Sequence, residues 1–114
     1  MSLLDRLFPK KKIEGELDSA AFDQKLATAT GKYLIDVRSR PEFQDEKMPN
    51  AMHIDYLHPD FLSKMRQLNP EKSIFIYCQT GKRSRKASHK VRAAGYRKVY
   101  TLHGGLNAYE GKTI

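Results

Sequence analysis

The segment Tyr77-Cys78-Gln79-Thr80-Gly81-Lys82-Arg83-Ser84 holds the only cysteine of the chain. It runs from an apolar stretch straight into a basic one, as a strand-to-helix turn does. Backbone N–H groups turning through Gly81 toward a helix start can converge on one point, because helix N-termini and nest-like turns present several unpaired donors together. A sulfur at that point is held as the anion, and the helix dipole, Lys82 and Arg83 all act in that direction. Cys78 is then a nucleophile at neutral pH, and Gln79, Thr80, Gly81, Lys82, Arg83 and Ser84 form its loop. The Thr80 and Ser84 hydroxyls can donate to the sulfur or to a substrate. The opposing reading is a small inert side chain that ends a buried strand. The polar run after Cys78 weakens it, since no apolar residue returns before Ala87. A single cysteine also excludes an internal disulfide and any metal site built on a cysteine pair.

Charge reinforces the assignment by its placement. The 21 Lys and Arg exceed the 13 Asp and Glu by eight. Lys82, Arg83, Arg85, Lys86, Lys90, Arg92, Arg97 and Lys98 supply that whole excess without an acid among them, beginning four positions after the cysteine. Such a run draws in anions. It is interleaved with no aromatic except Tyr96 and carries no zinc-finger or RNA-binding motif, so specific nucleic-acid recognition is not expected. Gly81-Lys82 is followed by Arg83 and lacks the upstream glycine of a phosphate-binding P-loop. His53, His58, His89 and His103 show no metal-site pairing and read as surface or loop residues, so neither metal nor organic cofactor is expected.

The elements that must place Cys78 alternate in kind. Tyr33–Val37, Ser73–Cys78 and Val99–Leu102 are short, rich in β-branched and aromatic residues, and bounded by turn formers; Ala51–Ile54 is a weaker strand and Ile13–Leu17 a possible edge strand. Asp18 or Ser19 can cap a helix toward Thr28 that presents Phe22 and Leu26 on one face. Phe61, Leu62, Met65 and Leu68 mark a second helix. A third starts near Arg83, buries Ala87, Val91 and Ala94, and stops at Gly95. A last turn spans 106–109. Strands separated by helices predict an α/β fold: a mostly parallel sheet of four to five strands with helices on both faces. Ligands of such sheets gather at the carboxyl ends of strands, where Cys78 stands.

With 114 residues, 39% of them hydrophobic and 30% charged, the chain suits one globular domain, assigned to 13–114. Residues 1–12 form a separate basic and amphipathic extension. There Leu3, Leu4, Leu7 and Phe8 share a helical face before Pro9 and three lysines, suited to packing on the domain or to docking on a membrane surface or partner. No apolar run approaches the ~20 residues of a bilayer span, and a cytoplasmic location is expected.

These motifs together resemble single-domain rhodaneses of the thiosulfate sulfurtransferase superfamily. Cys78-Gln79-Thr80-Gly81-Lys82-Arg83 resembles the active-site loop. Asp36-Val37-Arg38 with Glu42-Phe43 is similar to the early Asp-x-Arg segment, Met48-Pro49-Asn50-Ala51-Met52-His53-Ile54 to the Ile-Pro-Gly-Ala-x-Asn-Ile turn and strand, and His103-Gly104-Gly105 to the C-terminal glycine pair. The match spans roughly 13–110 with order and spacing kept. Departures are Glu46-Lys47 where Gly-His is common, Asn50 for a turn glycine, and Leu106 and Tyr109 where tryptophan is frequent. Asn50 tolerates a left-handed backbone; Glu46 is the costly one.

The resemblance implies that the Cys78 thiolate attacks the sulfane sulfur of thiosulfate, expels sulfite and becomes a persulfide, which an acceptor then discharges. Lys82 and Arg83 would hold the sulfonate, Arg83 better because its fork grips two oxygens. Asp36 and Arg38 would be supports, Arg38 pairing with Glu42. With one cysteine the acceptor is external: cyanide, a small thiol or a thioredoxin-like protein. A cysteine phosphatase or arsenate reductase with a Cys-x5-Arg loop fits worse, because the sixth residue after Cys78 is Ser84 and the arginines stand fifth and seventh. A non-catalytic sulfur carrier or protein-binding module stays open.

Overall fold

The structure, a computed structural model, describes residues 12–114. The 1–12 extension thus lies, but for Lys12, outside the described residues. Five strands form one sheet: β1 (Glu16–Leu17), β2 (Lys32–Asp36), β3 (Met52–His53), β4 (Ser73–Tyr77) and β5 (Val99–Leu102). Their order is β1-β5-β4-β2-β3 and every pairing is parallel. Four helices connect them: α1 (Ser19–Thr28), α2 (Arg40–Asp45), α3 (Phe61–Met65) and α4 (Lys82–Ala93). A 3-10 turn, Gly105–Ala108, follows β5.

Central β4 shows how the sheet is held and where it points its side chains. Successive residues of a strand face opposite sides. Ile74, Ile76 and Cys78 therefore enter the cluster with Ile35, Val37, Phe61, Met65, Ala87, Val91 and Val99, beneath α3 and α4. Phe75 and Tyr77 enter the other cluster, with Phe22 of α1, Leu34, Met48, Leu102 and Leu106. Phe22 meets Phe75 edge to face at 5.4 Å. The alternation fixes the chemistry: Cys78, one residue past β4, must point toward α4.

The caps follow the expected residue types. Asp18 accepts from the Ala21 N–H at the start of α1. Gly95 follows the Ala94 cap of α4 with φ 105°, the left-handed conformation glycine suits. Asn50 is the one non-glycine residue at positive φ among the described residues, 67°, so it does supply the left-handed turn. Helix α2 departs from the sequence expectation, which placed no element there. Its apolar repeat is too short to be read, and a capping box forms it instead: Ser39 Oγ accepts from the Glu42 N–H, and the Glu42 carboxylate accepts from the Ser39 N–H. Ala94, expected to be buried, is only partly so.

Candidate active site

Sulfur position follows from the turn between β4 and α4. Gly81 takes φ 97°, which folds the chain back so that its own N–H lies 3.0 Å from Cys78 Sγ. The Ser84 N–H, in the first turn of α4, lies 3.3 Å from the same atom. Two donors thus aim at one sulfur, the arrangement that favours negative charge there. The sulfur is buried, sealed beneath its own loop and backed by the α4-side cluster. Thr80 and Lys82 are exposed at the rim.

Ser84 differs from expectation in detail. Its Oγ stands 3.3 Å from Sγ but donates to the Gly81 carbonyl at 3.1 Å, so toward a thiol it is the acceptor. An in-turn carbonyl captures the hydroxyl proton, as serine commonly does at a helix start. Donation to a thiolate requires that proton to rotate. The Thr80 hydroxyl is not among the groups bonded to the sulfur.

Asp36 and Arg38 lie at the carboxyl end of β2, directly beside the end of β4: Asp36 is in register with Tyr77, and the Val37 N–H bonds the Tyr77 carbonyl. Both side chains are buried. Arg38 Nε and Nη2 donate to the Asp36 carboxylate at 2.8–3.1 Å. Burial alone would lower the Arg38 pKa, but hydrogen bonding to Asp36 outweighs it and the net shift is upward. Arg38 Nη1 then donates to Gln79 Oε1 at 2.9 Å, and Nη2 donates to the Glu46 carbonyl. Arg38 therefore braces the sulfur loop and does not pair with Glu42. The correction has a local cause: Asp36, two residues back, already points its carboxylate at the guanidinium and at the Arg38 N–H. The Glu46 substitution is accommodated because Arg38 uses only its backbone carbonyl, while its side chain accepts from Thr113 at the surface.

Glu42 instead holds Arg83, with Nη1–Oε1 at 2.8 Å and Nη2–Oε2 at 3.0 Å. This bidentate pair, with burial opposing and Ser39 assisting, brings the Glu42 pKa down to about 2. The fork expected to grip a sulfonate is already occupied.

Two further contributors were not anticipated. The 3-10 turn clamps the loop from outside: the Leu106 N–H donates to the Cys78 carbonyl at 2.9 Å, the Asn107 N–H to the Gln79 carbonyl at 3.0 Å, and Gln79 Nε2 to Asn107 Oδ1 at 2.7 Å. A Cβ on Gly105 would stand 2.5 Å from the Cys78 carbonyl oxygen, so only glycine permits this approach. The glycine pair was the available signal. The second is buried Glu16, which accepts from Arg85 at 2.7 and 2.8 Å and lies 3.1 Å from His103 Nδ1. Burial pushes its carboxyl upward, and Arg85 and His103 reverse that to a net lowering. A lone acid in an edge strand gave no sign of this. His53, expected at the surface, is half-buried at the end of β3, stacked on Phe43 at 4.9 Å with Nε2 2.6 Å from the Arg38 carbonyl.

The family model for the rhodanese-like domain matches residues 18–112. The chain is 33% identical over 98 residues to a protein named putative sulfurtransferase YtwF of Bacillus subtilis, covering 86% of this chain and 92% of that one. It is 29% identical over 98 residues to putative sulfur carrier protein YrkF of the same organism, covering 86% of this chain but 52% of YrkF. Among solved structures, the rhodanese-like domain of the Anabaena Alr3790 protein superposes with a TM-score of 0.77 at 24% identity, over 90% of this chain and 80% of that one. A single parallel sheet, a cysteine loop at its carboxyl edge and a match across nearly the whole described chain lead to one conclusion: the chain belongs to the rhodanese-like domain family.

Proposed function

We propose that the protein is a sulfurtransferase that carries a sulfane sulfur on Cys78. The observation that carries this reading is the convergence of the Gly81 and Ser84 N–H groups on the buried Sγ. In the first step the Cys78 thiolate attacks the outer sulfur of thiosulfate. An S–S bond forms to Cys78, the sulfur–sulfur bond of thiosulfate breaks, and sulfite leaves with the electron pair. In the second step an acceptor attacks the outer persulfide sulfur and Cys78 departs as thiolate; cyanide leaves as thiocyanate. No proton relay is needed, and the loop amides stabilise anionic sulfur at both stages.

Cys78 is the nucleophile. Gln79, Thr80, Gly81 and Ser84 shape the loop, and Lys82 meets the sulfonate at the rim. Arg83 joins only by exchanging Glu42 for the donor. Asp36 and Arg38 position Gln79. The lone thiol suits a reducing, cytoplasmic setting; no helix among the described residues is long and apolar enough to cross a membrane.

A sulfur-carrier role is the second reading, because the same two donors that would stabilise a thiolate would also hold a single loaded sulfur on Cys78 until delivery. YrkF bears such a name. Steady-state thiocyanate formation from thiosulfate and cyanide separates the two. The enzyme reading predicts turnover that Cys78→Ser abolishes while the fold persists. Turnover retained in Cys78→Ser refutes any role for that sulfur, and a single stoichiometric release without turnover leaves the carrier.

A further inference from the structure

The cations of α4 divide by residue type. Arginines find partners elsewhere in the fold: Arg83 with Glu42 of α2, Arg85 with Glu16 of β1, and Arg92 with Glu14 and the Val99 carbonyl of β5. Lysines turn outward. Lys82, Lys86 and Lys90 are exposed, four residues apart and so stacked along one helix face. Among the described residues no acid lies within ion-pair distance of any of them.

This stripe begins at the rim of the sulfur loop and runs about 12 Å along α4, from a rise of ~1.5 Å per residue. A small anionic donor needs only the cation at the rim. Charge carried that much farther serves an extended partner. At the far end Lys90 Nζ lies 5.1 Å from the Tyr56 ring, and the next residue, Leu57, is the most exposed large hydrophobic side chain of the described chain, at 72%. The one acid of that loop stretch, Asp55, turns to its own backbone and accepts from the Leu57 N–H. Like Cys78, the 55–57 loop follows the carboxyl end of its strand, so both lie on one edge of the sheet.

Resting on the sulfurtransferase reading, we propose that Lys82, Lys86, Lys90 and Leu57 form the docking surface for an acidic protein thiol that receives the sulfur from Cys78. The acceptor thiolate attacks the outer sulfur of the Cys78 persulfide anion, the persulfide S–S bond breaks, Cys78 leaves as thiolate, and the acceptor becomes the persulfide anion. Lysines steer the acidic surface to the loop. Leu57 gives it an apolar anchor. A protein fits better than single-stranded RNA, whose bases need exposed aromatic faces; Tyr56 is half-buried and approached by Lys90, and the exposed side chain beside it is aliphatic.

The test uses two fluorescein-labelled peptides, one rich in Asp and Glu with an apolar centre and one with Ser in place of the acids, each with a central cysteine. Anisotropy measures binding without reference to sulfur chemistry. Wild type is expected to bind the acidic peptide at least about tenfold more tightly at low salt, an advantage lost near 0.5 M salt, where the screening length is roughly 4 Å. In the double variant K86E/K90E the preference disappears, and Leu57→Ser weakens binding several-fold at either salt. Thiosulfate–cyanide turnover of both variants stays within about twofold of wild type, since small reactants meet only Lys82 at the rim, which both variants keep. Equal binding of the two peptides, or a preference surviving in K86E/K90E, overturns the proposal. So does a parallel loss of small-molecule turnover in K86E/K90E, which would place the lysines at the loop itself. An unlabelled RNA oligonucleotide that binds more tightly than the acidic peptide and depends on the same lysines assigns the face to nucleic acid. Absence of turnover in wild type strikes the sulfurtransferase reading and leaves the binding result to decide the surface.

Discussion

Glu42 serves two partners: its carboxylate caps α2 through Ser39 and holds both ends of the Arg83 guanidinium. Removing the charge but not the shape, as in Glu42→Gln, frees Arg83 for an oxyanion donor. The KM for thiosulfate should then fall, by roughly tenfold if one charge-assisted bond worth ~1.4 kcal/mol transfers to the substrate, with kcat little changed. An unaltered KM would mean that Arg83 never meets the donor. The same variant has a pH signature. Arg83, foremost, holds the Glu42 carboxyl at about 2 against an ordinary 4.5. A carboxyl lowered on folding stabilises the protein above its unfolded value and loses that contribution as pH falls toward the folded one. The stability gap between wild type and Glu42→Gln, read from urea midpoints, should therefore be present at pH 7 and close between about 4.5 and 2. A gap constant across that range would contradict the ion pair.

At the scale of elements, the loop depends on a turn it does not contain. The 3-10 turn of 105–108 supplies two N–H groups to loop carbonyls, and Gly105 allows the approach at φ 61°. Gly105→Ala places a methyl where the Cys78 and Gln79 carbonyl oxygens already stand, 2.5 Å away. The loop must shift, and misplacement by about 1 Å is enough to cost on the order of 100-fold in turnover. Thiocyanate formation within a few-fold of wild type would show that the clamp is dispensable. This dependence also marks what a sequence conveys. The strands and the cap residues of α1 and α4 were legible because short β-branched and aromatic runs bounded by turn formers, Asp18 and Gly95 act locally. The sulfur loop was legible for the same reason: Gly81 and the start of α4 are its neighbours. The Arg83–Glu42, Arg85–Glu16 and Gln79–Asn107 contacts join residues far apart in sequence, and residue types alone do not choose among several acids for each arginine. Arg38 is a different case: Glu42 was its expected partner, yet it takes Asp36 two residues back, a local contact that residue types alone did not single out.

For the whole molecule, the sheet acts as a platform that brings the ends of β2, β4 and β5 together and holds them by packing on both faces. Phe75 anchors the face covered by α1: it is fully buried, meets Phe22 at 5.4 Å and lies 5.2 Å from the Tyr100 ring. Phe75→Ala should cost about 3–5 kcal/mol, measured by urea unfolding, because it opens a cavity in the buried core, beside Phe22 and Tyr100. A loss below about 1 kcal/mol would contradict the packing described. The functional account rests on one event at the edge of that platform, the arrival of a sulfur atom on Cys78. Intact-protein and peptide mass spectrometry after incubation with thiosulfate tests it directly. The account predicts a gain of one sulfur atom localised to Cys78 and removed by cyanide; an unmodified thiol after the same treatment would contradict it.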